Sequence, residues 1–388
     1  MVKSNSCPVC GSANLELLLK REQVPVHQNL VISDCRKAVD VPRGDLELTL
    51  CENCSFVFNS AFDLSKMQYG TDYDNRQDHS PSFQTYMQEI INYLGAECNL
   101  PNPIIIEIGC GRGSFLQKLI AITGARGYGF DPAYQGPATV ANGKITFIND
   151  LYGAPYQDIA ADLVICRHVI EHIAKPLDLM LPIREALKAS PRAIVFFETP
   201  SLDWILENRV IYDFFYEHCS YFNLISLEWA CRQAGFSVID KRLVFKDQYM
   251  WIKARVNDAP GELPKQLANC RLALSYAAAE NNLKNKWIDK IADLRNNGEL
   301  AVWGAGAKGV TFLNLIDPLH QNIDCAIDLN PNKQGRCITG TGHPIIDYRE
   351  IGARNISAII IMNPNYRDEI AALLKQSGLV VSLISWEA

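Results

Sequence analysis

The chain of 388 residues is 48% apolar and 21% charged. That length predicts two or three domains at roughly 150 residues each, and the apolar fraction excludes a disordered or fibrous chain. A formal net charge of −6 without a basic block disfavours a nucleic-acid partner. No apolar run approaches the roughly 18 residues of a membrane helix. Because the N-terminus also lacks an apolar signal core, we expect a cytoplasmic protein with no membrane partner.

Four of the thirteen cysteines form two closely spaced pairs near the N-terminus, Cys7 with Cys10 and Cys51 with Cys54. Two C-x-x-C knuckles supply the four thiolates of a tetrahedral, structural Zn²⁺ site, and a redox pair is the alternative. We expect zinc to fold the N-terminal segment, and chelation to unfold that segment only. The remaining nine cysteines are single and are interpreted as buried small hydrophobes. The odd total argues against a disulfide framework.

Further along the chain, strand and helix patterns alternate. Residues 1–60 are interpreted as poor in strands and residues 61–82 as a connector, and a helical pattern follows over 83–94. Strands are predicted at 103–108, 126–131, 144–148, 161–166 and 193–198, with helical stretches at 114–122 and 176–189. This alternation predicts a mostly parallel, doubly wound α/β sheet. After a helix over 226–235, two runs at 236–245 and 248–256 predict an antiparallel pair that closes one edge of the sheet.

A polar segment with Pro and Gly from residue 257 marks a boundary, and a long helix at about 265–295 leads to a second α/β pattern. The sequence therefore predicts four parts. They are a zinc-binding domain with its connector (1–80), a central domain (81–258), a linker helix (259–298) and a Rossmann-like α/β domain (299–388).

The first predicted strand of the central domain runs into a glycine-rich turn that opens a helix. This turn resembles motif I, E-x-G-x-G-x-G, of class I S-adenosylmethionine methyltransferases, in which the loop cradles the cofactor. A carboxylate 24 residues after the first acid is placed to accept both ribose hydroxyls, and a later one suits the adenine end. The alternative is a generic strand–turn–helix corner. The predicted cofactor residues are Glu107, Gly109, Gly111, Gly113, Asp131 and Asp150.

Histidines follow the fourth predicted strand, where open α/β sheets bind their ligands. Arg167 and His168 are expected to border the cofactor, and His172 is expected to share a helical face with His168. The order H-x-x-E-H differs from the H-E-x-x-H of zinc proteases, so a metal is not favoured here. For His172, a catalytic base and a packing histidine are both open.

A second cluster follows the fifth predicted strand, where Glu217 and His218 are adjacent. On a loop both side chains can reach one pocket, whereas on a regular helix or strand they would diverge. The alternative is an aromatic segment that packs over the sheet. Tyr216 and Tyr221 in this segment are predicted to contact the substrate.

A second glycine-rich turn opens the C-terminal domain, and its spacing fits a dinucleotide fingerprint. Only about 90 residues remain for that domain. We therefore expect a substrate or phosphate cradle, with NAD binding or a purely structural corner as alternatives. The residues concerned are Gly304, Gly306, Lys308, Gly309 and Asp328, of which Lys308 is expected to meet a phosphate.

Taken together, these motifs resemble the zinc-containing sugar C-methyltransferase family, which acts on nucleotide-linked 4-keto-deoxysugars. The resemblance covers nearly the whole chain. It implies that His172, Glu217 and His218 surround the reacting centre and that a connector tyrosine, Tyr69 or Tyr73, enters it. The chain departs from the family in its glycine loop, in the stretch after Tyr73, and at Phe215, where the family usually has tyrosine.

The resemblance implies transfer of a methyl group from S-adenosylmethionine to a carbon beside a carbonyl of a small molecule, through an enolate. His172 or His218 is expected to remove the proton, and Glu217 to orient His218 or bind a substrate hydroxyl. The alternatives are an O- or N-methyltransferase of another small metabolite and a non-catalytic nucleotide-binding module.

Overall fold

The computed structural model describes residues 5–67, 74, 80–98, 100–190, 192–257 and 270–385. Within these ranges no helix is both long and apolar enough to cross a membrane. The strands are β1 (Leu15–Pro25), β2 (Arg43–Cys51), β3 (Val57–Asn59), β4 (Ile104–Ile108), β5 (Arg126–Phe130), β6 (Thr139–Val140), β7 (Ile145–Ile148), β8 (Leu163–Arg167), β9 (Ile194–Pro200), β10 (Ser220–Tyr221), β11 (Phe236–Val244), β12 (Tyr249–Val256), β13 (Glu299–Trp303), β14 (Cys325–Ile327), β15 (Ile345–Ile346), β16 (Ile356–Ile361) and β17 (Ser382–Ile384). The helices are α1 (Cys35–Val39), α2 (Pro81–Glu97), α3 (Ser114–Thr123), α4 (Pro176–Leu187), α5 (Leu202–Glu207), α6 (Leu224–Gln233), α7 (Cys270–Arg295), α8 (Ala307–Ile316) and α9 (Arg367–Gln376).

The central sheet has the order β11-β12-β9-β8-β4-β5-β7-β6. Strands β4, β5, β7, β8 and β9 are parallel, and β12 and β11 continue the sheet in antiparallel fashion at one edge. The predicted doubly wound α/β sheet and its antiparallel edge pair are therefore confirmed. Because the five parallel strands point the same way, the loops after their carboxyl ends all open at one edge of the sheet.

The N-terminal sheet, of order β1-β2-β3-β10, corrects the interpretation of residues 1–60 as poor in strands. Strand β1 contains charged residues, and its pairing with β2 shifts register between Leu17 and Leu19 and again between Arg21 and Val24. These irregularities remove the strict alternation by which a strand is recognised in a sequence. The fourth strand, β10, comes from the segment just after Glu217 and His218 and pairs antiparallel with β3.

The N-terminal sheet shares its core with both neighbouring parts of the molecule. Phe56 and Phe58, beside the second cysteine knuckle, belong to the same buried cluster as Ile106 of β4. Leu46 and Leu48 of β2 belong to the cluster that contains residues of β13 and α8. Among the described residues, the N-terminal sheet packs its apolar side chains into clusters that it shares with both neighbouring parts. This packing disfavours the expectation that zinc loss unfolds that segment alone.

The C-terminal sheet is parallel, with the order β15-β14-β13-β16-β17. A disulfide joins Cys35 at the start of α1 to Cys337 in the C-terminal part, and their Cα atoms are 5.3 Å apart. The prediction that single cysteines are buried small hydrophobes is wrong for this pair, because the two thiols meet across 302 residues of sequence. For Cys166, Cys231 and Cys325 the predicted burial is confirmed.

Candidate active site

The four knuckle cysteines converge at the edge of the N-terminal sheet. The Sγ atoms of Cys7 and Cys54 are 3.6 Å apart and those of Cys10 and Cys51 are 3.5 Å apart. All four sulfur atoms lie within 4.8 Å of one another. A disulfide needs about 2.05 Å. Zn–S bonds of about 2.3 Å in a tetrahedron separate sulfur atoms by about 3.8 Å, so the spacing suits a shared metal ion.

The first glycine loop lies between β4 and α3, at the open edge of the central sheet. All three glycines have positive φ angles, from 54° to 77°. A Cβ atom on Gly109 would lie 2.2 Å from Val169, and one on Gly113 would lie 2.3 Å from the Phe147 ring. A Cβ on Gly111 would meet nothing within 4 Å. The outer glycines are therefore held by packing, and the middle of the loop faces open space.

Three predicted carboxylates surround this loop. Asp131, after β5, accepts a hydrogen bond from the Gly111 N–H at 2.8 Å. Asp150, after β7, is exposed and accepts from the Tyr156 hydroxyl at 2.6 Å. Glu107 is buried, and burial raises its pKa to about 8, although Arg167 opposes the shift. Its Oε2 atom has no hydrogen-bond partner within the described structure.

Arg167 and His168, at the end of β8, both contact Glu198 at the neighbouring end of β9. The Arg167 Nε is 2.5 Å from Glu198 Oε2, and His168 Nε2 is 3.1 Å from Oε1. Burial would lower the pKa of His168, but Glu198 and Glu171 together raise it to about 9. His168 is therefore a cation at neutral pH, which disfavours it as a base.

The expected helical face shared by His168 and His172 is wrong. His168 has a left-handed backbone with φ of 52°, and only a single 3₁₀ turn, Ile170–His172, follows it. This geometry separates the two histidines. His168 contacts Glu198 and also Glu171, whereas one ring nitrogen each of His172 and His218 and one oxygen of Glu171 lie within 4.8 Å of one another.

His172 and His218 form an edge-to-face pair with ring centroids 4.8 Å apart. His172 Nδ1 lies 2.9 Å from the Glu217 carbonyl oxygen and donates to it, so its Nε2 is directed away from that bond. Burial, with the nearby His172, His168 and Lys308, lowers the pKa of His218 well below its usual value. His218 is therefore neutral at physiological pH while remaining partly accessible to solvent.

Glu217 faces away from His218 and into the N-terminal part of the chain. Its Oε1 is 3.1 Å from His27 Nδ1, and its Oε2 accepts the Gln28 N–H at 3.2 Å. Only 1% of Glu217 is exposed. The expectation that adjacent side chains on a loop reach one pocket is wrong for this carboxylate, and the pair diverges.

The hydroxyl groups of Tyr216 and Tyr221 contact the main chain. Tyr216 accepts from the Asp63 N–H at 2.8 Å, and Tyr221 accepts from the Phe215 N–H at 2.9 Å. Both tyrosines are buried. These contacts favour a packing role over the predicted contact with substrate. The predicted connector tyrosines, Tyr69 and Tyr73, lie outside the described residues.

The second glycine loop is satisfied by its own neighbours. Asp328 accepts hydrogen bonds from the N–H groups of Ala305 and Asn330, both at 2.8 Å. A Cβ on Gly309 would lie 1.8 Å from the Gly304 carbonyl oxygen, so this glycine permits the helix to pack on the loop.

Two lysines lie beside this loop, and both are engaged. Lys308 pairs with Asp213 and lies 5.0 Å from the centre of the Trp204 ring. Lys333 is buried beside Gly306 and donates to Ala305. These contacts favour a structural corner over the predicted phosphate cradle of Gly304, Gly306, Lys308, Gly309 and Asp328.

Sequence reasoning missed the partners that orient the histidines. Glu198 carries a usable signal, because it is a charged residue near the carboxyl end of an otherwise apolar strand. The carboxyl ends of parallel strands lie at the edge where open α/β sheets bind their ligands. His27 carries none, because its contact with Glu217 spans 190 residues of sequence.

Comparison with known proteins separates the chain into two matched parts. Residues 79–241 match the family described as a methyltransferase domain, and residues 257–379 match the C-methyltransferase C-terminal domain. The chain is 24% identical to the C-methyltransferase NovU of Streptomyces niveus over 94% of this chain and 91% of that protein. This protein is an S-adenosylmethionine-dependent methyltransferase.

Other similarities to this methyltransferase are partial. A ubiquinone biosynthesis O-methyltransferase of Burkholderia thailandensis is 27% identical over 28% of this chain and 49% of its own length. The 1,6-didemethyltoxoflavin N1-methyltransferase of the same organism, solved with S-adenosylhomocysteine, has 17% identity and a TM-score of 0.35, and the match covers 44% of this chain and 78% of that one. Magnesium protoporphyrin IX methyltransferase from Synechocystis has 19% identity and a TM-score of 0.35, over 45% and 84% of the two chains.

The residues of the methyltransferase loop fit the cofactor on physical grounds. Gly111 leaves room for a ligand to approach the main chain, and Asp131 holds the loop from the next strand. The unpartnered Oε2 of Glu107 is a buried polar atom at the base of the same loop. Such an atom is costly to leave without a partner, so a donor group of a bound molecule would be favourable here.

Proposed function

We propose that this methyltransferase transfers the methyl group to a carbon beside a carbonyl of a small-molecule acceptor. The observation that carries the proposal is the neutral, partly accessible His218 beside His172. His172 lies in the turn after β8, and Val169 just before that turn packs against Gly109 of the first glycine loop. The match of residues 257–379 to the C-methyltransferase C-terminal domain, and the similarity to a C-methyltransferase, support carbon as the acceptor atom.

The cofactor residues assigned by this proposal are those that surround the first loop. Gly111 and its neighbours Gly109 and Gly113 cradle S-adenosylmethionine, with Asp131 at the ribose and Asp150 at the adenine. When bound, S-adenosylmethionine supplies an electrophilic methyl group. Arg167 and His168 lie beside the cofactor in this proposal, and both contact Glu198. Together they keep a positive charge at the ends of β8 and β9.

A carbon beside a carbonyl becomes nucleophilic only when it loses a proton, so the reaction needs a base. The lowered pKa of His218 leaves a ring nitrogen unprotonated and available to take that proton, although it also makes the ring a weaker base. His172 donates its Nδ1–H to the Glu217 carbonyl group, so the Nε2 of the neutral ring is an acceptor that can relay the proton or serve as the alternative base. Glu217 is a positioning residue, since its carboxylate holds His27 and Gln28 while its main chain holds His172.

The acceptor proposed from the family resemblance is a nucleotide-linked 4-keto-deoxysugar. The chain carries Phe215 where that family usually has tyrosine, so a hydroxyl group expected near the reacting centre is replaced by hydrogen. We further propose that Cys7, Cys10, Cys51 and Cys54 bind one Zn²⁺ ion, which the spacing of their sulfur atoms supports. Such an ion stabilises the N-terminal sheet and takes no part in the reaction.

Alanine substitution of the two histidines tests the reaction. We expect His218→Ala and His172→Ala each to lose roughly 100-fold or more in turnover, the usual size of an acid–base contribution, with S-adenosylmethionine affinity by calorimetry unchanged. His320→Ala, at an exposed histidine of the C-terminal part, is the matched control. Wild-type turnover in both active-site variants would refute the assignment.

Proton exchange distinguishes carbon from oxygen or nitrogen as the acceptor. With S-adenosylhomocysteine in place of the methyl donor, the enzyme should exchange deuterium from the solvent into the carbon beside the carbonyl of a nucleoside diphosphate 4-keto-deoxysugar. His218→Ala should abolish this exchange. Methylation of an acceptor without exchange at any carbon would favour an O- or N-methyltransferase.

A further inference from the structure

Three carboxylates around the His172–His218 pair are engaged by donors outside that pair. They are Glu217, which binds His27 and Gln28; Glu198, which binds Arg167, His168 and Tyr86; and Asp213, which binds Lys308. A further carboxylate, Glu171, lies directly beside the pair and is engaged less completely. Its surroundings therefore show what it can contribute to the reaction.

Glu171 is a buried carboxylate with one open oxygen. Only 1% of the residue is exposed, and its Oε2 accepts a hydrogen bond from the Thr199 hydroxyl at 3.1 Å. Its Oε1 is 3.4 Å from His168 Nδ1 but has no hydrogen-bond partner among the described residues. Because buried polar atoms are nearly always paired in folded proteins, an N–H group that appears during the reaction would be favourable at this oxygen.

The same carboxylate is held close to both histidines. One of its oxygen atoms and one ring nitrogen each of His172 and His218 lie within 4.8 Å of one another. The 3₁₀ turn Ile170–His172 carries Glu171 itself. The Cys219 thiol donates to the Glu171 carbonyl group at 3.7 Å, and the Ser220 hydroxyl donates to the Ile173 carbonyl group at 2.7 Å. The segment after His218 is therefore tied to the turn that bears the carboxylate.

The proposed reaction creates a positive charge at this place. When a histidine ring takes the proton, the C–H bond breaks and an N–H bond forms, and the ring becomes an imidazolium. The electron pair stays on the acceptor as an enolate and then forms the new bond to the methyl group, as S-adenosylhomocysteine leaves. The nearby His168 and Lys308 oppose a further cation, since both contribute to lowering the pKa of His218. The protonated ring thus needs a negative charge beside it.

We propose that Glu171 is a positioning residue that stabilises and orients the imidazolium formed when His218, or His172 in its place, takes the proton from the acceptor carbon. The proposal rests on the proposed function, and it adds a third member to the histidine pair. Glu171 acts through the rings and does not touch the acceptor. Opposite charges at this separation attract strongly in a protein, because the effective dielectric constant is about 20 rather than 80.

Glu171→Gln tests the role of the charge, because the amide keeps the size of the side chain and an oxygen for the Thr199 hydroxyl. We expect kcat to fall about tenfold or more, while KM for the acceptor stays within about twofold and S-adenosylmethionine affinity by calorimetry is unchanged. Glu207→Gln removes the same charge from the exposed end of α5 and should keep wild-type turnover.

Glu171→Asp separates a charge from a packing role. Aspartate keeps the charge but is one methylene group shorter, so turnover should lie between those of wild type and Glu171→Gln. A purely structural residue predicts the opposite order, because glutamine has the shape of glutamate and aspartate leaves a gap. Wild-type turnover in Glu171→Gln, or higher turnover there than in Glu171→Asp, would overturn the proposal.

Deuterium exchange places the effect in the proton transfer. With S-adenosylhomocysteine and the nucleoside diphosphate 4-keto-deoxysugar, Glu171→Gln should exchange the carbon-bound proton more slowly than wild type, by about the same factor as kcat. If wild type and Glu171→Gln exchanged equally fast, the role of Glu171 would be wrong and the proposed reaction would stand. Absence of exchange in wild type would remove the proposed reaction and this role together.

Thermal unfolding shows whether each variant is folded. If Glu171→Gln does not fold, Thr199→Val is the second variant, since it leaves the charge in place and removes only the hydrogen bond that orients the carboxylate. Turnover of Thr199→Val should fall about threefold, the size expected for one neutral hydrogen bond. Unchanged turnover in this variant would then count as the refuting result.

Discussion

Replacing Glu217 by glutamine separates a positioning role from direct contact with substrate. The carboxylate is 1% exposed and accepts from the His27 ring and from the Gln28 N–H. Charge-assisted hydrogen bonds contribute about 1.5–3 kcal/mol and neutral ones about 0.5–1.5 kcal/mol. The isosteric amide should therefore lower the unfolding free energy by about 2 kcal/mol. Glu217→Ala, which leaves two buried donors without an acceptor, should lower it by about 3–5 kcal/mol.

The same change should lower turnover through His172. The hydrogen bond from His172 to the Glu217 carbonyl group is 2.9 Å long. If misalignment of His172 raises the activation free energy by about 1.4 kcal/mol, the rate falls about tenfold. Urea unfolding measures the change in unfolding free energy, and steady-state kinetics measures the change in turnover. We expect kcat to fall about tenfold while KM for the acceptor stays within about twofold.

A double-mutant cycle with His27→Gln checks the reasoning. If Glu217 acts through His27, the two changes should couple by about 1 kcal/mol or more in unfolding free energy. Additive effects, or an increase in acceptor KM with unchanged unfolding, would show that the carboxylate touches the substrate instead, and our account of it would be refuted.

Three further predictions concern the cofactor loop, the buried charges and the zinc site. Gly111→Ala should weaken S-adenosylmethionine binding tenfold or more by calorimetry, because the added Cβ enters the open side of the loop. Gly143→Ala, also at positive φ with open space around it, should leave binding unchanged, and equal affinities of the two variants would contradict this prediction. The folded-state pKa of His168 is raised from 6.5 to about 9, so its charge stabilises the folded protein fully below about pH 6.5, and about 3 kcal/mol of unfolding free energy in urea should be lost as pH rises through 9. His168→Asn should remove this pH dependence, and an unchanged pH profile in that variant would count against the charged pair. Cys54→Ser should reduce bound zinc from about one ion per chain to none by elemental analysis. It should lower turnover as well, because β3 pairs with β10 next to His218. A fully active zinc-free protein would contradict the expected link between the zinc site and turnover.

The central sheet was predictable from sequence because its signals are local. Strands β4 and β8 are apolar runs that each end in a turn, and β11 and β12 flank a short turn. The ends of β4 and β5 then suggest Glu107 and Asp131 as candidate cofactor residues without any knowledge of distant contacts. The strands within residues 1–60 are not recognisable from the sequence, because β1 carries charges and register shifts and its pattern matches no simple period.

The candidate site was predictable only in part, because its geometry depends on pairs far apart in sequence. The sequence places Glu217 next to His218, but not the His27 contact that turns the carboxylate away. The sequence likewise does not reveal that Glu198 and Glu171 raise the pKa of His168, or that burial lowers the pKa of His218. Backbone strain at His168, with φ of 52°, has no signature in the residue type.

The pairing of β3 with β10 makes the cysteine segment and the histidine segment neighbours in one sheet, although most of the central domain lies between them in the chain. A chimera that exchanged residues 1–80 between two such enzymes would leave β10 opposite a strand with which it did not evolve. Acceptor preference should therefore be transplanted by moving both segments together, and recombination between them should be poorly tolerated.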